Sequence, residues 1–336
     1  MQLSTLKFST SLFSKVQSNF ALKCNHLPLL SSFLHKQWIP RSTYSTEPSP
    51  VLVEINDQVQ WIRLHRPKAY NAMNFQAYRA VMSALHSAAE NDLVKMTVVT
   101  GTGPYFSSGK DLSKFDKKNN FGFFSTLIFL LCLDSNKDLS DQLGNASPSE
   151  AAAAGHNIVQ EFINAFIDYP KPIVAAVNGP AYGIMVTTLA FYDAIIASET
   201  ASFTTPFSKL AISPEGCSSW TFSHMLGPTV ASQMLLFSQT LSAERAFQLG
   251  FVSELVKKET DFEAFVTDWL HNPKRGVLPT CDYTSMLEAK ALMRDEQERL
   301  RLKEINRKEF EVLDRMYARG EVFRIAEKLL KAKRSR

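Results

Sequence analysis

A single carboxylate, Glu215, stands between Pro214 and Gly216 in the stretch Ser213-Pro214-Glu215-Gly216-Cys217-Ser218-Ser219. Proline pins the backbone on one side of it and glycine releases the backbone on the other. A glutamate held at such a turn has the chemistry to take up and return a proton. Two further stretches suit an anion. Tyr105-Phe106-Ser107-Ser108-Gly109-Lys110-Asp111-Leu112 follows a β-branched run, and Val177-Asn178-Gly179-Pro180-Ala181-Tyr182-Gly183-Ile184 spans a strand-to-helix turn. Loops of small residues after a buried strand let main-chain N–H groups point into a cleft. A helix N-terminus adds partial positive charge there. Two such loops can converge on one oxygen anion. Residue types alone leave the alternatives open: an ordinary loop at Ser107–Asp111, and a solvated surface glutamate at 215.

Other chemistries find less support. Gly101-Thr102-Gly103 is a two-glycine turn without the rest of a dinucleotide fingerprint. The seven histidines form no metal spacing, and no metal is expected. Cys24, Cys132, Cys217 and Cys281 lie far apart with no C-x-x-C pair. That speaks against a zinc site or a disulfide framework and suits a reducing compartment.

The elements that must position these residues can be read from periodicity. Val51, Val53 and Ile55 are expected to face one way in a first strand, with Asn56-Asp57 turning the chain into a second around Val59, Trp61 and Arg63. Asn74 caps a helix running to about Asn91, with Tyr78, Val81, Met82, Leu85 and Ala88 on one face. Val94 to Thr100 is a β-branched run, hence a buried strand. Ala151 to Phe166 reads as an amphipathic helix that Pro170 and Pro172 stop. Ile173 to Val177 is a short buried strand, and Gly183 to Phe191 an apolar helix. Strands are expected near Ala194–Ser198 and Ser202–Thr205, and helices dominate from there to the end. Ser242–Gly250 is one of them, ended by its glycine. Leu287 to Leu313 alternates charges with Leu, Met and Ile, as a helix packed on the core or on a neighbouring subunit would. Strand–helix alternation followed by a helical tail makes the class α/β.

Composition bounds the rest. The chain has 336 residues, 45% hydrophobic and 21% charged, with net charge +4. That is ordinary for a soluble globular protein and enough to bury a sizeable core. Part of the positive excess sits at the two ends, so the body carries no nucleic-acid footprint. Residues 1–46 contain no Asp or Glu and scatter Lys7, Lys15, Lys23, Lys36 and Arg41 among serines and apolar residues. This is the composition of a mitochondrial transit peptide, and a matrix location is expected. Glu47-Pro48-Ser49-Pro50 reads as a linker. The C-terminal Lys-Arg-Ser-Arg is not a Ser-Lys-Leu-type peroxisomal address. Phe121 to Leu133 is apolar but too short to span a bilayer, so no stable membrane span is expected. It belongs to an irregular insertion at about 117–149 with no assigned function.

Several motifs in one order change the weights. Leu64-His65-Arg66-Pro67-Lys68-Ala69-Tyr70-Asn71-Ala72-Met73-Asn74 resembles the Arg-Pro…Asn-Ala entry motif of the crotonase (enoyl-CoA hydratase/isomerase) superfamily. The likeness continues through Phe106–Leu112, Pro170–Ile173, Asn178–Ala181 and Thr205-Pro206-Phe207 to Ser213–Ser218. It covers about residues 51–256, and the last turn is similar to that of the enoyl-CoA delta isomerases. The resemblance implies a crotonase-like spiral of ββα turns, with a C-terminal helical region over 257–336 that supports a homotrimer. It implies an acyl-CoA substrate, with CoA part of that substrate and no separate cofactor.

The resemblance also implies roles. The catalytic set would be Glu215 with the main-chain amides of Lys110 and Ile184, which clasp a thioester oxygen. Ser107, Ser108, Gly109, Lys110, Asp111 and Ile184 would line the substrate site. Common family members carry small residues where Lys110 and Ile184 stand, but a backbone donor tolerates a change of side chain. The Lys110 ammonium would make the cleft more positive or reach a CoA phosphate; a solvated lysine is the alternative. Hydratase members carry two glutamates at the positions of Thr187 and Phe207, and neither residue can activate water. The pattern therefore implies a Δ3,Δ2-enoyl-CoA isomerase of fatty acid β-oxidation. The rival readings are a hydratase or thioesterase with displaced groups, and a non-catalytic binding module of the same fold.

Overall fold

The computed structural model describes residues 49–111 and 148–320, together with 322, 324 and 325. The expected transit segment and the Phe121–Leu133 run lie outside the described residues. The strands among them are β1 (Val51–Asn56), β2 (Val59–Leu64), β3 (Met96–Gly101), β4 (Ile173–Val177), β5 (Ala181–Tyr182), β6 (Ala194–Ser198), β7 (Ser202–Thr204), β8 (Leu241–Ser242) and β9 (Glu254–Val256). The helices are α1 (Phe75–Glu90), α2 (Pro148–Asp168), α3 (Ile184–Thr187), α4 (Ser218–Leu226), α5 (Pro228–Leu235) and α6 (Ala243–Gln248), then α7 (Phe262–His271), α8 (Val277–Thr280), α9 (Tyr283–Met293) and α10 (Glu296–Ala318).

The larger sheet has the order β1-β2-β3-β4-β6-β9, and the smaller β5-β7-β8. From β2 onward the larger sheet is parallel. Each of β4 and β6 lies in the large sheet, while the strand that follows it, β5 or β7, lies in the small one. With α3 and α4 after them, these pairs repeat the ββα order and wind the expected spiral.

Side chains of the central strands alternate between two apolar layers. Val99, Ile173, Ala175 and Val177 face a layer shared with α1, α2 and α10. Val98, Val174 and Ala176 face the other, which α7 closes with Val266 and Leu270. A sheet covered on both faces needs apolar runs, which is why β3 and β4 read as such. In the first layer the Tyr78 and Phe162 rings meet edge to face at 4.9 Å. Asn74 caps α1 as expected, accepting from the Ala77 N–H at 2.9 Å.

Two expectations are corrected and two hold. The hairpin turns on Asp57 and Gln58, both left-handed (φ 46° and 70°), because Asn56 still pairs with Val59. That is the two-residue geometry whose twist matches antiparallel strands. Val51, Val53 and Ile55 share a face as expected, with Val51 buried and Val53 and Ile55 exposed on this edge strand. Helices dominate from there to the end as expected, with only the short strands β8 and β9 among them. The charged tract from Leu287 is two helices: Arg294 leaves the helical region, and Asp295 caps α10 by accepting from the Glu298 N–H at 2.8 Å. Among the described residues no helix is long and apolar enough to cross a membrane.

Candidate active site

The loop after β3 is held by the stretch that precedes α1. Asn71 is buried and left-handed, and its side-chain amide donates to Thr102 O at 2.9 Å and Tyr105 O at 2.8 Å. Ser107 Oγ donates to Asn71 O at 2.8 Å and accepts from the Gly109 N–H at 3.1 Å. Ser108 Oγ donates to Ala69 O at 3.2 Å. Both serine hydroxyls are thus directed at the protein's own backbone. Asp111, also buried, pairs with Arg66 at 2.7 Å. The Met73 N–H donates to Gly109 O at 2.7 Å, and the Asp111 N–H donates to Met73 O at 3.1 Å. Met73 therefore bonds the residues on either side of Lys110, so the main-chain groups of Lys110 point to the opposite side, as in any strand pairing.

On that opposite side runs the second loop. The Tyr182 N–H donates to Ser107 O at 2.9 Å, and Ser107 bridges Ala181 as a parallel neighbour. Gly109 (φ 80°) sits so close to the Tyr182 carbonyl that a Cβ would meet it at 2.9 Å. Only glycine permits both the conformation and the approach. Two residues further, Ile184 opens α3 after Gly183. The first N–H of a helix has no acceptor within it. The Gly183 carbonyl instead receives the N–H groups of Val186 and Thr187.

Glu215 completes the group. It is partly buried, and the two residues after it, Gly216 and Cys217, are both left-handed (φ 72° and 59°). A Cβ built on Gly216 would lie 3.5 Å from Ile184 Cδ1, so the turn packs on the helix that carries the second amide. Among the described residues no hydrogen bond is made to the Glu215 carboxylate. Its pKa is pushed up to about 7: burial raises it most, the Lys110 ammonium opposes, and the Glu309 carboxylate adds a little. Desolvation outweighs the opposing Lys110 charge. The Tyr78 phenol of α1 is raised well above its usual value, by burial first and then by Glu215, Asp111 and Tyr317.

The matching family profile is that of enoyl-CoA hydratase/isomerase, over residues 59–336. The chain belongs to the enoyl-CoA hydratase/isomerase family. Rat enoyl-CoA delta isomerase 2 is 39% identical over 255 residues, covering 76% of this chain and 57% of the relative. Mouse peroxisomal enoyl-CoA delta isomerase 3 is 41% identical over 214 residues, 64% of this chain and 59% of the relative. The chain spans about half the length of these curated relatives. A putative enoyl-CoA hydratase/isomerase from Acinetobacter baumannii superposes with a TM-score of 0.66 at 25% identity, over 85% of this chain and 100% of the other. An enoyl-CoA hydratase from Bacillus halodurans does so with 0.66 at 21%, over 83% and 100%.

In this member of the enoyl-CoA hydratase/isomerase family, Thr187 and Phe207 are fully buried. The Thr187 hydroxyl donates to Ile184 O at 3.1 Å and lies beneath Gly216. Neither residue presents a carboxylate. Among the described residues no three His, Cys, Asp or Glu side chains gather as a metal site. Sequence reading missed Glu309 of α10. Its Oε2 accepts from the Cys217 N–H at 2.7 Å and its Oε1 from the Ser219 N–H at 2.9 Å. A signal was present: Leu302, Phe310 and Leu313 mark the buried face of α10, and Glu309 falls on it.

Proposed function

We propose that this chain is a Δ3,Δ2-enoyl-CoA isomerase acting in fatty acid β-oxidation. One observation carries the reading: Glu215 is a desolvated carboxylate that feels the Lys110 charge, its turn packs through Gly216 on Ile184, and no second carboxylate stands at Thr187 or Phe207. The substrate is a 3-enoyl-CoA, cis or trans, whose thioester oxygen lies between the Lys110 and Ile184 amides. Glu215 removes a proton from C2, and the electron pair spreads over C2, C3, C4 and the thioester oxygen as a dienolate. Each amide aimed at that oxygen contributes roughly 3 kcal/mol to the transition state in comparable sites. The protonated Glu215 then delivers the same proton to C4, leaving the double bond at C2–C3. One base serves both carbons because they lie on one side of a near-planar allyl unit. Hydration would need a second group to activate water, and Thr187 and Phe207 do not supply one.

CoA enters as part of the substrate, and no separate cofactor or metal takes part. Ser107, Ser108 and Asp111 act by shaping the loop that presents the Lys110 amide. The acid-free basic stretch over 1–46 supports a mitochondrial matrix address. A homotrimer is the assembly that the family resemblance suggests. The test is product analysis: the purified chain converts a 3-enoyl-CoA to the conjugated 2-trans thioester, read by the rise in enoyl-thioester absorbance. Formation of a 3-hydroxyacyl-CoA or of free CoA instead would overturn the reading.

A further inference from the structure

Glu309 is 6% exposed, and its two oxygens each accept a main-chain N–H from the start of α4. α4 begins at Ser218 after Cys217, a residue whose side chain supplies no cap. The N–H groups at a helix start must find acceptors elsewhere. They find them on α10, about ninety positions along the chain. The same turn is held a second time, because Cys217 Sγ donates to Leu302 O at 3.2 Å. A left-handed cysteine is a conformation that surrounding contacts must enforce. Here α10 enforces it, and Glu215 stands two residues earlier. Ser218 Oγ, at the first position of α4, donates back to Glu215 O at 2.8 Å.

We propose that Glu309 is a positioning residue for proton transfer: from α10 it fixes the Gly216–Ser219 turn that aims Glu215, and sets a like charge behind it. This rests on Glu215 being the acid–base group. Among the described residues Lys110 from the loop after β3 and Glu309 from α10 act on Glu215, which in turn raises the Tyr78 phenol of α1. The Cys217 thiol lies beside Glu309 and is kept protonated by burial. Glu309 itself is pushed up by burial and held down by the N–H groups it accepts. A helix cap with no other duty would affect stability alone. A positioning residue also affects kcat and the ionisation of Glu215.

The test compares wild type with Glu309→Gln and Ser219→Pro in the full chain. Glutamine keeps one acceptor and removes the charge; proline removes one donor in the first helical turn, where it is tolerated, and keeps the charge. Turnover of a 3-enoyl-CoA is followed against pH, with binding of a saturated acyl-CoA and the thermal midpoint as checks on the fold. The Glu215 carboxyl is also titrated by 13C NMR, which needs no turnover. Glu309→Gln is expected to lower kcat about 10- to 100-fold, as small misplacements do. Acyl-CoA affinity should stay within about threefold, and the acid limb and the Glu215 midpoint should both move to lower pH, because a like charge has gone. Ser219→Pro should lower kcat without that downward move. An unchanged NMR midpoint in Glu309→Gln sinks the proposal, as does a loss of thermal midpoint with kcat intact. If wild type fails to isomerise while the Glu215 midpoint still moves down in Glu309→Gln, the fault lies with the proposed reaction and not with Glu309.

Discussion

Gly216 lies against Thr187 so tightly that a Cβ on the glycine would overlap the threonine side chain. The glycine also has a φ of 72°, a region closed to most side chains. The Glu215 turn is therefore seated on buried Thr187, the position to which the resemblance to hydratases would assign a glutamate. Gly216→Ala should combine overlap with backbone strain and cost about 1–3 kcal/mol of stability. Denaturant unfolding measures this, and kcat should fall with it, since Glu215 precedes the displaced residue.

For the same reason Thr187→Glu should not create a hydratase. The residue is fully buried and its hydroxyl already serves Ile184 O. A longer, charged side chain there overpacks the site and buries an unpaired carboxylate. The expected result is a lower thermal midpoint and no 3-hydroxyacyl-CoA by product analysis; efficient hydration would contradict the packing.

Glu215→Gln removes the proposed base but keeps its size. General acid–base groups are worth roughly 10²–10⁴-fold. Isomerisation should drop in that range, while affinity for a saturated acyl-CoA changes little. Turnover close to wild type would exclude Glu215 as the proton carrier.

The raised pKa gives two signs to check. Glu215 must be ionised to take the proton, so kcat/KM should rise with pH through about 7. Stability runs the other way. A carboxyl whose folded pKa exceeds its unfolded value adds stability in full below the unfolded value, near 4.5, and loses it as pH rises through about 7. Relative to Glu215→Gln, wild type should thus be least stable above pH 7, with the gap closing toward pH 4.5. Parallel thermal melts of the two proteins over that window decide it.

Asn71 organises the loop after β3 that carries Lys110, since its side-chain amide is committed to the protein's own carbonyls. Asn71→Ala strips donors from Thr102 O and Tyr105 O and puts alanine in a left-handed conformation. The cost should be about 2–4 kcal/mol, from lost buried hydrogen bonds and strain. Because the same loop presents Lys110, kcat should fall even below the melting range. A variant of unchanged activity would show that the loop holds its shape without this side chain.

Patterns of period two and 3.6 carried much of the fold in plain sight. Tyr78, Val81, Leu85 and Ala88 with the cap Asn74 announced α1, and the β-branched runs announced β3 and β4. The Pro-Glu-Gly turn and the two small-residue loops were also visible. Proline and glycine restrict or free the backbone wherever they stand, and a buried strand needs apolar residues whatever its neighbours. What such patterns do not contain is the partner. Val53 and Ile55 alternate correctly, yet face solvent because β1 ends the sheet. Glu309 sits in a charged helix, yet caps α4 because the packing of α10 brings it to Cys217 and Ser219. The ionisation of Glu215 likewise depends on how much water is displaced and which charges arrive from α10 and the Lys110 loop. Local residue types set what a segment can do; distances between segments far apart in the chain exist only once it has folded.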